Sequence, residues 1–187
     1  RDDKEINEIA FKWENLIHWK ASGIDNTCST RWSLIRFEKQ REKNKIVHIN
    51  CKNKLHILQI NSWIKHDTKQ AVDLVKKNKE KNLNLFKILF NEEKIILKKA
   101  RQAIQTWDIK KIGLLMNKNQ DLLRQIWISC KTIEKLIKVA LDNWALWAKI
   151  TGAGMWWSII ALCKDSKQEN KLNNIYKKLW YHTIKLK

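Results

Sequence analysis

Asp25 stands two residues after Gly23 in the run 18–30, HWKASGIDNTCST. Gly23 permits a sharp turn there, because a residue without a Cβ reaches backbone angles that others avoid. A carboxylate at the end of such a loop can take a proton from a substrate hydroxyl or hold a metal ion. The same residues also fit an Asx turn with a solvated carboxylate, and the local sequence does not choose between the two. Glu14 lies eleven residues earlier. The helix that carries it could aim both carboxylates into one cleft, an arrangement suited to a magnesium-bound phosphate donor. Alone, Glu14 reads as a surface residue, and His18 as a packed or capping residue rather than a ligand. A third group is Thr151, Gly152, Ala153 and Gly154, within AKITGAGMWWSIIALC at 148–163. A turn of this kind between two strands brings backbone N–H groups close to a phosphate, although a lone glycine turn is a weak signal. Trp156 and Trp157 stand where it should continue with small residues. An indole does not suit a site that needs positive φ or a close backbone approach.

The elements that must position these groups follow from hydrophobic periodicity. Ile6, Ile9, Ala10, Trp13 and Ile17 predict a helix over 6–18, running into a polar loop at 20–30. Strands are expected at 33–37 and 45–49, as a hairpin, and at 55–60, and a helix at 68–77. From Asn82 the pattern turns helical, with Leu85, Phe86, Leu89 and Phe90 in one stripe and Ile95, Ile96, Ala100 and Ala103 following. Amphipathic helices are expected at 109–118 and 132–143. After them come a strand at 149–150, the glycine turn, a strand at 158–162, a helix at 169–179 and a last strand at 183–186. Strands and helices around a helical middle imply an α+β fold.

The 187 residues are 44% hydrophobic, enough for a packed core and against general disorder. Net charge is +19. That charge fits a binder of nucleic acid or anionic membrane, but the lysines are spread through nearly every segment, with no basic arm and no recognisable nucleic-acid-binding motif. No specific nucleic-acid partner and no membrane are therefore expected. Cys28, Cys51, Cys130 and Cys163 lie far apart without a CxxC pair, which argues against zinc and for reduced thiols in the cytoplasm. No stretch approaches the about 20 apolar residues of a membrane helix, and there is no signal peptide. The chain starts at Arg1 in a helical pattern and reads as the C-terminal part of a longer protein.

Taken together, the segments resemble the C-terminal two-thirds of the mevalonate kinase family, within the GHMP kinase superfamily. The family's substrate loop reads H-G-x-P-S-G-[IV]-D-N-x-x-S-T-x-G-G, and this chain has HWKASGIDNTCSTRWS. Its late motif reads A-K-[LI]-T-G-A-G-G-G-G before an apolar strand, and this chain has AKITGAGMWWSIIALC. Between them, INSWIKHDTKQAV resembles the segment around a threonine that precedes a helix. IQTWDIKKIGLLMNKNQDLLRQIWIS resembles the family's N-G-D-x-x-x-L-G-x-L-M-N stretch and its continuation. The likeness covers nearly the whole chain, and SGIDN favours the mevalonate kinases over their sister kinases. It implies the end of an S5-like N-terminal domain over 1–77 and a ferredoxin-like C-terminal domain over 78–187. It implies ATP and Mg2+ as cofactors and mevalonate as the alcohol phosphorylated. Asp25 would be the catalytic carboxylate and Glu14 the magnesium ligand. Ser22, Gly23, Asn26 and Thr68 would bind substrate, and Thr151, Gly152, Ala153 and Gly154 would support the phosphates. His66 falls where some relatives have arginine. The family's P-x-x-x-G-L-G-S-S-A loop and the lysine that partners the aspartate are not in this chain, so the chain alone is expected to turn over poorly. A homodimer, a sister kinase with another small alcohol, and a non-catalytic basic binding protein derived from the fold stay open.

The departures from the family pattern are systematic. All eleven tryptophans, Trp13, Trp19, Trp32, Trp63, Trp107, Trp127, Trp144, Trp147, Trp156, Trp157 and Trp180, fall where the family carries or tolerates glycine. The chain has no proline and only four glycines, very few for the turns its pattern needs. Two explanations are open. Either the organism reads UGA as glycine where the translation reads tryptophan, or the chain is a tryptophan-rich, degenerate kinase. Ala21 for the usual proline, and Ser33 and Met155 for glycines, are the remaining departures.

Overall fold

The computed structural model describes residues 2–17, 22–31, 34–40, 44–51, 53–65, 68–151 and 156–186. In chain order the elements are α1 (Asp3–Ile17), α2 (Ile24–Arg31), β1 (Ile35–Glu38), β2 (Lys45–His48), β3 (His56–Lys65), α3 (Thr68–Lys81), α4 (Leu83–Gln105), α5 (Ile109–Gln125), α6 (Lys131–Asp142), β4 (Trp147–Thr151), β5 (Trp156–Cys163), α7 (Ser166–Lys178) and β6 (Thr183–Leu186). They form two compact units, Arg1–Lys52 and Asn53–Lys187.

In the first unit α1 packs against α2, and β1 pairs antiparallel with β2, Ile35 opposite His48 and Glu38 opposite Lys45. The helix α2 replaces most of the loop expected at 20–30. Its sequence, IDNTCSTR, is poor in helix formers and shows no apolar period. Side chains hold it instead. Thr27 Oγ1 donates to the Gly23 carbonyl at 2.6 Å, and Thr30 Oγ1 to the Asn26 carbonyl at 2.9 Å. Asn26 Nδ2 donates to Asn7 Oδ1 on α1 at 2.7 Å.

The second unit is built on one antiparallel sheet of strand order β4-β5-β3-β6. Ile60 pairs with Ile159 and Gln59 with Ile160 across β3 and β5, and Ile150 pairs with Ile159 across β4 and β5. Strand alternation divides the side chains between two faces. Leu58, Ile60, Ala148, Ile150, Ile159, Ala161 and Cys163 pack on Ile133, Leu136, Ile137 and Ala140 of α6 and on Leu172 and Tyr176 of α7. From the opposite face Ile57, Trp147 and Leu162 join Leu89, Ile96 and Ala103 of α4 and Ile112, Leu115 and Leu122 of α5. Gln120, fully buried on α5, ties these layers together. Its Oε1 accepts the Ile150 N–H at 2.9 Å and its Nε2 donates to Glu134 Oε1 on α6 at 3.2 Å. The α+β class expected from the sequence is what the chain adopts. Strand β3 lies in the second unit, hydrogen-bonded between β5 and β6.

Candidate active site

Ser22, Gly23, Asp25 and Asn26 converge at the head of α2. Gly23 has φ +83° and is buried. A Cβ there would meet the Phe11 ring at 3.4 Å and the Phe37 ring and Asn44 Nδ2 at 3.6 Å. Those are ordinary contact distances, so it is the left-handed angle that selects glycine. Ser22 Oγ accepts the Ile24 N–H at 3.3 Å, satisfying one of the donors that open the helix. Asp25 lies in the first turn of α2, exposed to solvent, where the helix dipole favours an anion. Its neighbour Cys28 has a thiol pushed up, first by burial and then by the Asp25 charge. Asn26 is buried and locked to Asn7, which fixes the direction of α2 against α1.

Glu14 sits on α1, half-buried. The contacts between the two helices run in order, Asn7 with Asn26 and Phe11 beside Gly23. Glu14 follows Asn7 by two helical turns on the same face, which places it toward the end of α1 that faces the head of α2. The first unit thus brings together Ser22, Gly23, Asp25 and Asn26 at the head of α2, and carries Glu14 on α1 about one helical turn beyond Phe11. In the second unit Thr68 opens α3, and Thr151 ends β4 opposite Ser158 of β5. The two strands that flank 152–155 are therefore antiparallel neighbours. Gly152, Ala153 and Gly154 lie outside the described residues, as do His18 and His66.

Lys149 was not singled out from the sequence, although it stands inside the AKIT run. It lies two residues before Thr151 and so on the same side of β4. Burial lowers its pKa, partly opposed by the Glu93 carboxylate of α4, which Asn119 Nδ2 meets at 2.6 Å. Its signal in the sequence was only its place in the motif. Elsewhere Arg124, Ser129, Gln120 and Glu134 bond mainly to one another. Among the described residues no cluster of three or more His, Cys, Asp or Glu could hold a metal ion, and no helix is long and apolar enough to cross a membrane.

Comparison with known proteins gives this arrangement a context. Residues 100–182 match the family described as GHMP kinases C terminal. The chain is 31% identical over 156 residues to the mevalonate kinase of Arabidopsis thaliana, covering 80% of this chain and 40% of that one. It is 26% identical over 172 residues to the mevalonate kinase of Aeropyrum pernix, covering 92% and 52%. Among solved structures it is similar to L. major mevalonate kinase in complex with R-mevalonate. There the TM-score is 0.89 and identity 31%, over 98% of this chain and 59% of that one. The chain spans about half the length of the curated relatives it matches.

Proposed function

We propose that the protein to which this chain belongs phosphorylates mevalonate with ATP, since residues 100–182 match the family described as GHMP kinases C terminal and the chain is similar to mevalonate kinases along most of its length. One observation carries the assignment: the likeness to a mevalonate-bound kinase over 98% of the chain. The residues that the resemblance marks as catalytic, Asp25 and Glu14, lie on helices packed together in one unit.

In the proposed step the 5-hydroxyl oxygen bonds to the γ-phosphorus, the bond from that phosphorus to the β-phosphate oxygen breaks, and ADP leaves. The hydroxyl proton passes to the Asp25 carboxylate. Such a transfer depends mainly on positioning and on neutralising charge. Gly23 and the Asn26–Asn7 pair supply the positioning, the one through the left-handed turn that opens α2 and the other through a hydrogen bond between α2 and α1. Ser22, Asn26 and Thr68 are assigned to the substrate, and Thr151, Gly152, Ala153 and Gly154 to the phosphates. Magnesium prefers oxygen ligands and keeps several waters, using one or two carboxylates plus phosphate oxygens. The carboxylate of Glu14, together with ATP phosphate oxygens and water, is an oxygen donor set of the kind magnesium takes. Bound there with ATP, the ion would neutralise charge on the phosphates. We also assign the boundary between the two family domains to about Lys77 and the protein to the cytoplasm.

The test is mevalonate-dependent ADP release by the full-length enzyme and its Asp25→Asn variant. The expected result is a fall in kcat of about a thousandfold, typical for loss of a proton acceptor, with little change in KM for mevalonate. Near-normal turnover in the variant would remove Asp25 from that role. Faster turnover of another small alcohol by the unmodified enzyme would move the assignment to a sister kinase.

A further inference from the structure

Four helices of the second unit end in the same way. After α4 the N–H of Trp107 bonds the Ile104 carbonyl at 3.2 Å and the N–H of Asp108 bonds the Ala103 carbonyl at 2.8 Å. After α5 Trp127 bonds Arg124 at 3.0 Å and Ile128 bonds Leu123 at 3.3 Å. After α6 Trp144 bonds Leu141 and Ala145 bonds Ala140, both at 3.0 Å. After α7 Trp180 bonds Lys177 and Tyr181 bonds Tyr176, again at 3.0 Å. Each pair is a Schellman motif, whose closing residue takes the left-handed conformation and is usually glycine. Here that residue is tryptophan four times, with φ 59°, 61°, 64° and 64°.

Among the described residues these four are the only non-glycine positions with positive φ. Asparagine and aspartate tolerate that conformation best among side chains, and none stands there. A bulky residue is strained by its own Cβ, at a cost of about tenfold in the folding equilibrium constant per position. Burial does not compensate, since Trp127, Trp144 and Trp180 are 50%, 65% and 90% exposed. Trp147, by contrast, is buried in the core, its indole in the space that a Cβ on Gly113 of α5 would take.

We infer that these positions hold glycine in the protein as its organism makes it, because a codon rendered here as tryptophan is read there as glycine. UGA is the codon that fits. It is a stop in the standard code, some codes read it as tryptophan, and it differs from the glycine codon GGA by one base. Decoding acts on the codon and not on its place in the fold. The assignment therefore extends to all eleven tryptophans, including Trp156 and Trp157 directly after the Thr151–Gly154 run. It rests on backbone stereochemistry and not on the proposed kinase activity.

Two measurements test it without reading activity. The first is tandem mass spectrometry of the protein isolated from its own cells, on the tryptic peptides 179–185 and 150–164. Glycine at 180, 156 and 157 is expected. Tryptophan at 180 overturns the inference, and tryptophan at 156 and 157 alone overturns its extension along the chain. The second uses the full chain made recombinantly with Trp107, Trp127, Trp144 and Trp180 all replaced by glycine, or all by alanine. Both variants lose the indoles, but only glycine relieves the Cβ. The glycine variant should exceed the alanine variant by about tenfold in folding equilibrium constant per site, read from denaturant midpoints. Equal stabilities would overturn the stereochemical argument.

Discussion

Glu134 shows how far neighbours decide what a carboxylate does. Burial acts to raise its pKa, but hydrogen bonds from Arg124, Ser129 and Gln120 and the Arg124 charge outweigh it and hold the group below its ordinary value. Arg124 reaches both oxygens, Nε to Oε1 at 3.0 Å and Nη2 to Oε2 at 2.7 Å. The same contacts raise the guanidinium further. A carboxylate with a lower pKa folded than unfolded stabilises the fold above its unfolded value. That contribution is lost as pH falls through the folded value. The stability difference between the chain and its Glu134→Gln variant should therefore be largest near neutrality and shrink below about pH 4. The pair is partly exposed, so the difference stays modest, about 1 kcal/mol or less. A difference that does not change on acidification would show that the charge is not what Glu134 contributes. Cys163 behaves in the opposite sense. Its thiol is pushed up to about 12, by burial first and then by the Glu169 and Asp165 charges, and it stays protonated as part of the core.

Helix ends separate what could be read in the sequence from what could not. The starts of α5 and α7 carry ordinary signals. Asp108 Oδ1 accepts the Lys111 N–H at 3.0 Å and Asp165 Oδ1 accepts the Gln168 N–H at 2.8 Å. Gln168 Oε1 in turn accepts the Lys164 N–H at 2.6 Å. Asp165→Ala should cost about 1 kcal/mol of stability, measured by urea denaturation, and a neutral result would mean that water replaces the cap. The other ends carry no such signal as written. The helix expected over 109–118 continues to Gln125 because its stop is the left-handed residue at 127, which reads as tryptophan and not as glycine. The strands 147–151 and 156–163 also run longer than the alternation suggested. The last strand and the stripes of α4 and α6 were legible, since burial on one face leaves a period in the sequence. Helix α2 was not, because Thr27, Thr30 and Asn26 hold it through polar bonds that leave no period. Within the candidate site Gly23 and Asp25 were legible as a turn followed by a carboxylate. The pairing of Asn26 with Asn7, nineteen residues away, was not, because a polar contact between two helices needs the fold to be seen.

Apolar burial is unevenly divided along the chain. The buried apolar side chains among the described residues run from Leu58 to Tyr176, all in the second unit. In the first unit Ile6, Ile9, Phe11, Trp13 and Leu16 of α1 are all at least 37% exposed, and the buried side chains there are the polar Asn26 and Thr27. Hydrophobic burial supplies about 25 cal/mol per Å², whereas polar bonds such as Asn26 to Asn7 add only about 1 kcal/mol each. Local opening of the first unit should therefore need much less free energy than global unfolding. Native-state hydrogen exchange on this chain would show it. The slowest amides should lie in β3, β5 and α6, around Ile60, Ile159 and Ile133, while those of α1, α2 and the β1–β2 hairpin exchange through small openings. Slow exchange in α1 and α2 equal to that in β5 would mean that the polar bonds at the head of α2 carry more than their ordinary worth. The protected sheet would then not be the sole source of the chain's stability. The carboxylates assigned to catalysis both sit in this weakly buried unit, so whatever rigidity Asp25 and Glu14 have here comes from Gly23, Asn26 and Asn7 rather than from a core.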